Sequence, residues 1–378
     1  METRRYRDTG LQVSLLGMGC MRLPKLDPEK EDIDYEKAQE IIDYAYSHGV
    51  NYFDTAYGYH GGKSELFVGQ ALEKYPRDSF LLASKMPIWC AKEKGDVERI
   101  FNEQLQKCRT DYFDFYLFHA QNAANFAKCQ EFGVYEFLTK MKAEGKIRRL
   151  GFSFHDAPEV LRHICDTYEW DFAQIQLNYL DWEMQDAKGQ YDILTERGIP
   201  VIVMEPVRGG TLASPCEAAN ILFREARPDK SVASWAIRFA ASLPNVLTVL
   251  SGMSNMEQVR DNVETMTGFE PLTEKDREVI DAALDAYKKK DTVPCTGCRY
   301  CMDCPFGVDI PKMFALYNNF MLDKDEEDYL ERYRAQPAGE LADQCQACGA
   351  CMEQCPQHIQ IPDKMVMIRE LVEKISAK

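Results

Sequence analysis

No run of about eighteen apolar residues, the length a membrane-spanning helix needs, occurs anywhere in this chain. The opening Met1-Glu-Thr-Arg-Arg-Tyr-Arg7 leads into polar sequence without an apolar signal core, so neither export nor membrane insertion is expected. Basic residues are outnumbered, 45 Lys+Arg against 61 Asp+Glu, and the formal charge is −16. No basic stripe exists to meet a phosphate backbone, which excludes a nucleic-acid surface. No flavin fingerprint is found either. Without an export address the cysteines do not read as a secreted disulfide framework, and a reducing cytoplasm is the expected compartment.

Cysteine itself is plentiful, with 14 in 378 residues. Eight fall in two clusters, Cys295-Thr-Gly-Cys298-Arg-Tyr-Cys301-Met-Asp-Cys304-Pro305 and Cys345-Gln-Ala-Cys348-Gly-Ala-Cys351-Met-Glu-Gln-Cys355-Pro356. Three cysteines at three-residue steps can wrap one iron–sulfur cube, and the Cys-Pro that follows is placed to ligate a neighbouring cube. The second cluster has the full bacterial ferredoxin spacing; the first is one residue short before its last cysteine. By this logic Cys295, Cys298, Cys301 and Cys355 hold one [4Fe–4S] cluster, and Cys345, Cys348, Cys351 and Cys304 hold the other. Zinc is the competing reading, but zinc ribbons separate two Cys-x-x-Cys pairs by a longer stretch. The remaining cysteines (Cys20, Cys90, Cys108, Cys129, Cys165 and Cys216) are scattered, as buried inert thiols are.

From residue 11 to about 265, short apolar runs alternate with helix-length amphipathic stretches. Candidate strands are 15–19, 52–54, 80–84, 113–118, 149–152, 172–177, 200–204 and 247–250. Helical patterns lie between them, as at 35–47, 97–107, 133–144 and 159–168, and Tyr135, Leu138 and Met141 recur as one buried face requires. Strands apolar throughout, alternating with helices, read as a parallel sheet covered on its outer side. Eight such units predict an α/β fold, a closed (β/α)8 TIM barrel, preceded by a hairpin centred on Asp8-Thr-Gly10. The barrel is assigned to residues 1–285, a linker to 286–294, and a small α-rich ferredoxin-like domain to 295–378. The spacing Cys304-Pro…Ile310-Pro311 repeats as Cys355-Pro…Ile361-Pro362, an internal duplication.

Reactive residues of such barrels sit at the carboxyl ends of strands. Asp54, Lys85 and His119 close the second, third and fourth predicted strands, and Tyr59 lies on the same rim. Each alone is more often a hydrogen-bonded cap than a catalyst. Together they form a coherent set. A phenol with a pKa near ~10 is a poor acid; Lys85 would favour its phenolate, and Asp54 would keep Lys85 charged and oriented. His119 could donate a hydrogen bond to a carbonyl oxygen. Such a set polarises a carbonyl and delivers a proton, while the hydride must come from elsewhere, which implies a nicotinamide. The loop Arg208-Gly209-Gly210 follows the seventh strand, where this fold often binds phosphate; a plain turn is the other reading.

The stretch Gly49-Val-Asn-Tyr-Phe-Asp54-Thr-Ala-Tyr-Gly-Tyr59, then Ser64-Glu65, Ser84-Lys85 and Asp111-Tyr-Phe-Asp114-Phe-Tyr-Leu-Phe-His119, resembles the aldo-keto reductases. Gly151-Phe-Ser153, Gln174-Ile-Gln176 and Gly252…Asn262 extend the likeness across residues 5 to about 265. The C-terminal part resembles the bacterial branch with a ferredoxin-like dicluster domain. This resemblance implies a catalytic set of Asp54, Tyr59, Lys85 and His119, with Tyr59 as proton donor. It implies that Ser153 and Gln174 hold the nicotinamide carboxamide and that Asn262 reaches the adenine end. Three departures stand out. Phe154 follows Ser153 where the family usually has Asn, and Met204 replaces the aromatic that commonly stacks on the nicotinamide. Gly252 and Gln258 replace basic residues that commonly meet the 2′-phosphate of NADP, so the cofactor is NADP or NAD.

The expected function is reduction of a small carbonyl, or oxidation of an alcohol, with a nicotinamide and two [4Fe–4S] clusters. An electron-transfer enzyme, whose clusters exchange single electrons with a redox centre in the barrel and with a redox protein partner, is the alternative. A non-catalytic binding barrel is the third reading.

Overall fold

The computed structural model describes residues 1–27, 30–288 and 291–377. The chain divides into two compact units, Met1–Val207 with Ala233–Thr273, and Arg208–Val232 with Glu274–Lys378.

In the first unit, strands β1 (Thr3–Arg5) and β2 (Gln12–Ser14) pair antiparallel as the expected hairpin. Eight parallel strands then close a barrel: β3 (Leu16–Gly19), β4 (Tyr52–Asp54), β5 (Leu81–Met86), β6 (Phe115–Gln121), β7 (Leu150–Phe154), β8 (Phe172–Gln176), β9 (Val201–Met204) and β10 (Val246–Ser251), with β10 pairing back onto β3. The sequence placed all of them. Its third and fourth strands stop early, because β5 runs past Ser84 to Met86 and β6 past Phe118 to Gln121.

The amino-terminal mouth is packed shut with aromatic rings. Tyr52 meets Phe115 at 5.0 Å, Phe115 meets Phe172 at 4.9 Å, and Tyr6 from the hairpin caps Phe115 edge-on at 6.1 Å. The Tyr6 hydroxyl donates to the Asp171 carbonyl at 2.9 Å, which satisfies its polar end. With this end sealed, only the carboxyl ends of the strands can form a site.

Helices cover the outside as their periodicity requires. In Tyr35–Ser47, Asp34 caps the Lys37 N–H and the buried residues are Ala38, Ile41, Ile42 and Ala45, one face at helical spacing. In Val134–Ala143, Leu138 and Met141 are buried while Tyr135 stacks on Tyr168 at 3.9 Å.

In the second unit the helix Glu217–Ala226 packs on Glu274–Lys288, and Arg227 forks onto Asp276 with two 3.0 Å hydrogen bonds. The segment assigned as a linker, 286–294, is not a loose connection. Ala286–Lys288 complete the helix, with Tyr287 buried; Lys289 and Lys290 lie outside the described residues. Just beyond, the Asn318 amide binds both backbone groups of Val293, at 2.7 and 2.8 Å. The polar run reads as a linker in sequence, but one buried ring and one side-chain amide fasten it.

The duplication is visible in the backbone. Left-handed residues fall two and four places after each leading cysteine, at Gly297 and Arg299 and again at Ala347 and Gly349. A turn closes after each Cys-Pro, Gly307 donating to the Cys304 carbonyl and His358 to that of Cys355. The helices Ile310–Asp323 and Ile361–Ser376 then start at the repeated Ile-Pro. Among the described residues no helix is long and apolar enough to cross a membrane.

Two glycines in barrel helices sit in opposite surroundings. A Cβ on Gly69 would stand 2.5 Å from the Lys107 carbonyl oxygen, whereas one on Gly95 would meet nothing within 4 Å. Gly69→Ala should therefore lose about 1–3 kcal/mol, and Gly95→Ala should be neutral or gain up to ~1 kcal/mol from helix propensity. The chain's 4 tryptophans, Trp89, Trp170, Trp182 and Trp235, all precede the cysteine clusters. Urea unfolding followed by their fluorescence checks both substitutions.

Candidate active site and cysteine recesses

The carboxyl ends of adjacent strands bring Asp54, Lys85 and His119 together with Tyr59. Asp54 is the last residue of β4, and the Lys85 ammonium on β5 donates to its Oδ1 at 2.6 Å and to the Thr55 carbonyl at 2.7 Å. Both side chains are buried, Lys85 to 0 % exposure. Asp54 Oδ2 has no hydrogen-bond partner. Burial pushes the Asp54 carboxyl above the usual carboxylate range, and the ammonium beside it pulls the other way. Such a pair holds only because each charge is the other's main compensation.

Half-buried Tyr59 lies against this pair, its ring centroid 4.9 Å from the Lys85 ammonium. The His119 ring stands edge-on to it at 5.9 Å, and Trp89, 45 % exposed, tilts over His119 at 4.9 Å. Burial holds the His119 imidazole well below its usual pKa, and the nearby Lys85 and His155 add to this. At neutral pH it is an uncharged ring with one N–H to donate.

His119 is aimed by a feature the sequence does not announce. Ala120 adopts a left-handed φ of +48°, and the β6–β7 register breaks between Phe118 and Gln121. Bulges of this kind re-aim a side chain. Ser153 Oγ accepts the Ala120 N–H at 2.8 Å, and the Gln121 amide donates to the His119 carbonyl at 2.9 Å. Behind Lys85, the Gln104 amide donates to the Lys85 carbonyl, to Ser84 and to the buried Glu65 carboxyl. The Tyr116 hydroxyl completes that network at Gln104 Oε1 (2.5 Å). Gln104 and Tyr116 look like ordinary helix and strand residues in the sequence.

The residues expected to hold a nicotinamide divide. Ser153 and Gln174 stand side by side in register on β7 and β8. The Gln174 amide lies 3.5 Å from Met204 Sδ, and its buried Oε1 has no hydrogen-bond partner. Asn262 is buried and donates to Ser251 Oγ at 2.9 Å. At Gly252 a guanidinium arrives from elsewhere. The Arg22 stem crosses the glycine, where a Cβ would be 3.3 Å away, and Arg22 pairs with Glu205 at 2.7 Å. Arg208, Gly209 and Gly210 fall in the second unit, and the close approach at Gly209 is to the Thr296 carbonyl.

The eight clustered cysteines line two recesses in the second unit. One, of about 350 Å³, is lined by Cys304, Cys345, Cys348 and Cys351. The other, of about 300 Å³, is lined by Cys295, Cys298, Cys301 and Cys355. Apolar residues make up much of both walls, with Gln346 in the first and Thr296, Arg299, Gln354 and Gln357 in the second, and Ile361 is shared. The grouping is the crossed one drawn from spacing. Neighbouring thiols act on Cys301 from Cys298, Cys295 and Cys355, and on Cys351 from Cys304, Cys345 and Cys348. Burial and this crowding raise both, and burial pushes the Cys295 thiol up to about 11. Among the described residues no three His, Cys, Asp or Glu side chains are gathered as they would be on a single metal ion. Of the scattered cysteines, Cys20, Cys108, Cys129 and Cys216 are buried and Cys90 and Cys165 partly so.

The depressed His119 pKa carries a sign. Below the ordinary histidine value of about 6.5, unfolded His119 takes up a proton that the folded barrel refuses, so stability falls as pH falls. The urea midpoint of His119→Gln should lie below that of the unmodified protein at pH 7.5, and the gap should narrow at pH 5. A gap of constant size would remove His119 from this role.

The Aldo/keto reductase family, as a sequence model, matches residues 15–285, and a 4Fe-4S dicluster domain matches 294–360. An NADH-specific methylglyoxal reductase of Escherichia coli is 26% identical over 301 residues, covering 68% of this chain and 91% of the relative. An L-galactose dehydrogenase of Arabidopsis thaliana is 26% identical, covering 72% and 90%. A solved aldo-keto reductase of Bacillus halodurans in its holo form superposes with a TM-score of 0.61 at 27% identity, covering 75% of this chain and 96% of that one. With the barrel, its rim residues and this match over residues 15–285 in agreement, the chain belongs to the aldo/keto reductase family and carries a C-terminal 4Fe-4S dicluster domain.

Proposed function

We propose that this protein is a nicotinamide-dependent oxidoreductase that interconverts a small carbonyl and its alcohol, and that it holds two [4Fe–4S] clusters in its C-terminal segment. The buried Lys85–Asp54 pair beneath Tyr59, with neutral His119 opposite, carries this reading.

The residues of the chain divide the work. Neutral His119 donates its N–H to the substrate oxygen and fixes the carbonyl on the rim. The Tyr59 hydroxyl delivers a proton to that oxygen as negative charge develops on it. Lys85 stabilises the phenolate left behind, and Asp54 keeps the ammonium charged and aimed. A bound nicotinamide would supply or accept the hydride. Its carboxamide fits Gln174, whose unpartnered Oε1 is a buried acceptor suited to an amide N–H, with Ser153 beside it. Gly252 and Gln258 bring no charge to the rim, and the one guanidinium crossing Gly252 is engaged by Glu205. That arrangement suits NADH better than NADPH. It accords with the NADH-specific relative.

The cysteine recesses suit iron–sulfur cubes better than single ions, since four thiols surround each space rather than converge on a point. Cys295, Cys298, Cys301 and Cys355 would hold one cluster and Cys304, Cys345, Cys348 and Cys351 the other, each supplying one-electron capacity. Burial and crowding disfavour thiolates there, and a cationic iron core relieves that repulsion.

Tyr59→Phe should reduce carbonyl turnover about 10²–10⁴-fold and leave nicotinamide affinity nearly unchanged. NADH should support faster turnover than NADPH in the unmodified protein. Steady-state kinetics and fluorescence binding check both, and retained turnover would take Tyr59 out of the mechanism. Protein prepared without oxygen should contain about eight irons by the two-cube arrangement, measured by metal analysis; stoichiometric zinc would refute it. Bleaching of the cluster absorption by NADH alone would shift the reading to the electron-transfer alternative.

A further inference from the structure

The loop that carries Tyr59 is held by a histidine the proposed reaction does not use. The Thr55 and Ser64 hydroxyls close the base of this loop at 2.8 Å, and Ser64 donates to the Cys20 carbonyl at 2.9 Å. Between them, Gly58, Gly61 and Gly62 leave the backbone with much freedom for a segment bearing a proton donor. His60, Gly61 and Gly62 adopt left-handed φ of +53°, +60° and +87°, so the chain reverses immediately after Tyr59. Histidine enters that region more readily than most residues with a Cβ. The His60 side chain is buried to 1 % exposure, and its Nε2 accepts the Leu23 N–H at 3.1 Å. That bond assigns the tautomer, with the proton on Nδ1. Nδ1 faces the Glu31 carboxylate at 3.8 Å, and Glu31 is paired with Lys25 at 2.9 Å. Burial lowers the His60 pKa, which keeps the ring neutral and able to accept. Leu23 leads into a segment folded back on itself, where Leu26 donates to the Asp32 carbonyl at 3.0 Å and Asp34 to that of Pro24 at 2.8 Å. Lys63 pairs with Asp32 of the same segment. Of these ties, the imidazole lies nearest in sequence to Tyr59.

We propose that His60 is a positioning residue for Tyr59: by holding the Leu23 N–H, its buried ring pins the glycine-rich loop to the segment after β3 and keeps the phenol over Lys85. The inference rests on Tyr59 being the proton donor, as proposed above. Tyr59 is half-buried, with its ring centroid 4.9 Å from the Lys85 ammonium. Misplacement of a reacting group by about 1 Å is enough to slow the chemistry severely. A donor on so permissive a backbone needs an anchor beside it, and His60 supplies one from the adjoining position.

The test uses the full-length protein prepared without oxygen, with NADH and p-nitrobenzaldehyde as the carbonyl probe. If Tyr59→Phe keeps the turnover of the unmodified protein, the proton-donor reading fails, and hydrogen exchange at Leu23 still judges the tie by itself. His60→Asn tolerates the left-handed backbone, but its amide ends short of Leu23. His60→Gln strains the backbone more, yet places an oxygen near where Nε2 stood. H60N should speed deuterium exchange of the Leu23 amide, read by mass spectrometry. It should also lower kcat about 10- to 100-fold while NADH affinity, followed by fluorescence, stays unchanged. Added to Tyr59→Phe it should cost nothing further, because both changes act through one phenol. H60Q should recover most of both effects. Four results would overturn the proposal: Leu23 exchange unchanged in H60N, an equal loss of turnover with and without the Tyr59 hydroxyl, H60Q falling as far as H60N, or loss of the fold in either variant.

Discussion

Everything on the barrel rim depends on one ion pair removed from water. Lys85 and Asp54 lie 2.6 Å apart with both side chains almost wholly covered. Two isolated charges could not stay ionised there. The pair survives because adjacent parallel strands set Lys85 two residues beyond Ala83, the register partner of Asp54, so that its long side chain meets the carboxylate, while the Thr55 carbonyl takes a second ammonium proton. The remainder of the rim follows from that fixed positive point. The Tyr59 ring lies on it, and it helps to keep His119 uncharged. The aromatic plug at the opposite mouth serves the same end, since it excludes water from beneath the pair.

Much of this was legible in the sequence, for identifiable reasons. Apolar runs bounded by turn residues located all eight barrel strands, because a strand covered on both faces leaves few polar positions to blur its outline. The polar residues that end such runs were equally visible as Asp54, Lys85 and His119. Local irregularities were not. Alanine has no preference for a left-handed backbone, so Ala120 gave no warning of the break that aims His119. The Arg22–Glu205 pair joins residues 183 positions apart, which no local pattern can register. Glycine at 209 announced a close approach without saying to what. The polar run before Cys295 looked like a tether because the amide of Asn318 that fastens it comes from a later helix.

The cysteine spacing was the most transparent feature of all. Its grouping into crossed sets of four could be drawn before any coordinates, and the two recesses follow it residue for residue. The duplicated left-handed positions explain the economy of the design. Each leading cysteine is followed by the same two backbone reversals, so one loop shape serves twice, with glycine at only one of the two reversals in each copy. Where the copies differ is in their surroundings. One has Arg299 in its wall, and the other includes the exposed Cys348 and Phe306.

Because each recess borrows its fourth sulfur from the other half, neither half can be finished by itself. A chain growing from its amino terminus leaves Cys295, Cys298 and Cys301 waiting until Cys355 has been made, and Cys304 waiting for the second loop. Enclosure of both spaces is thus a single late event in synthesis. A ribosome stalled anywhere short of the final cysteine would leave the earlier thiols open to oxidation or to the wrong metal.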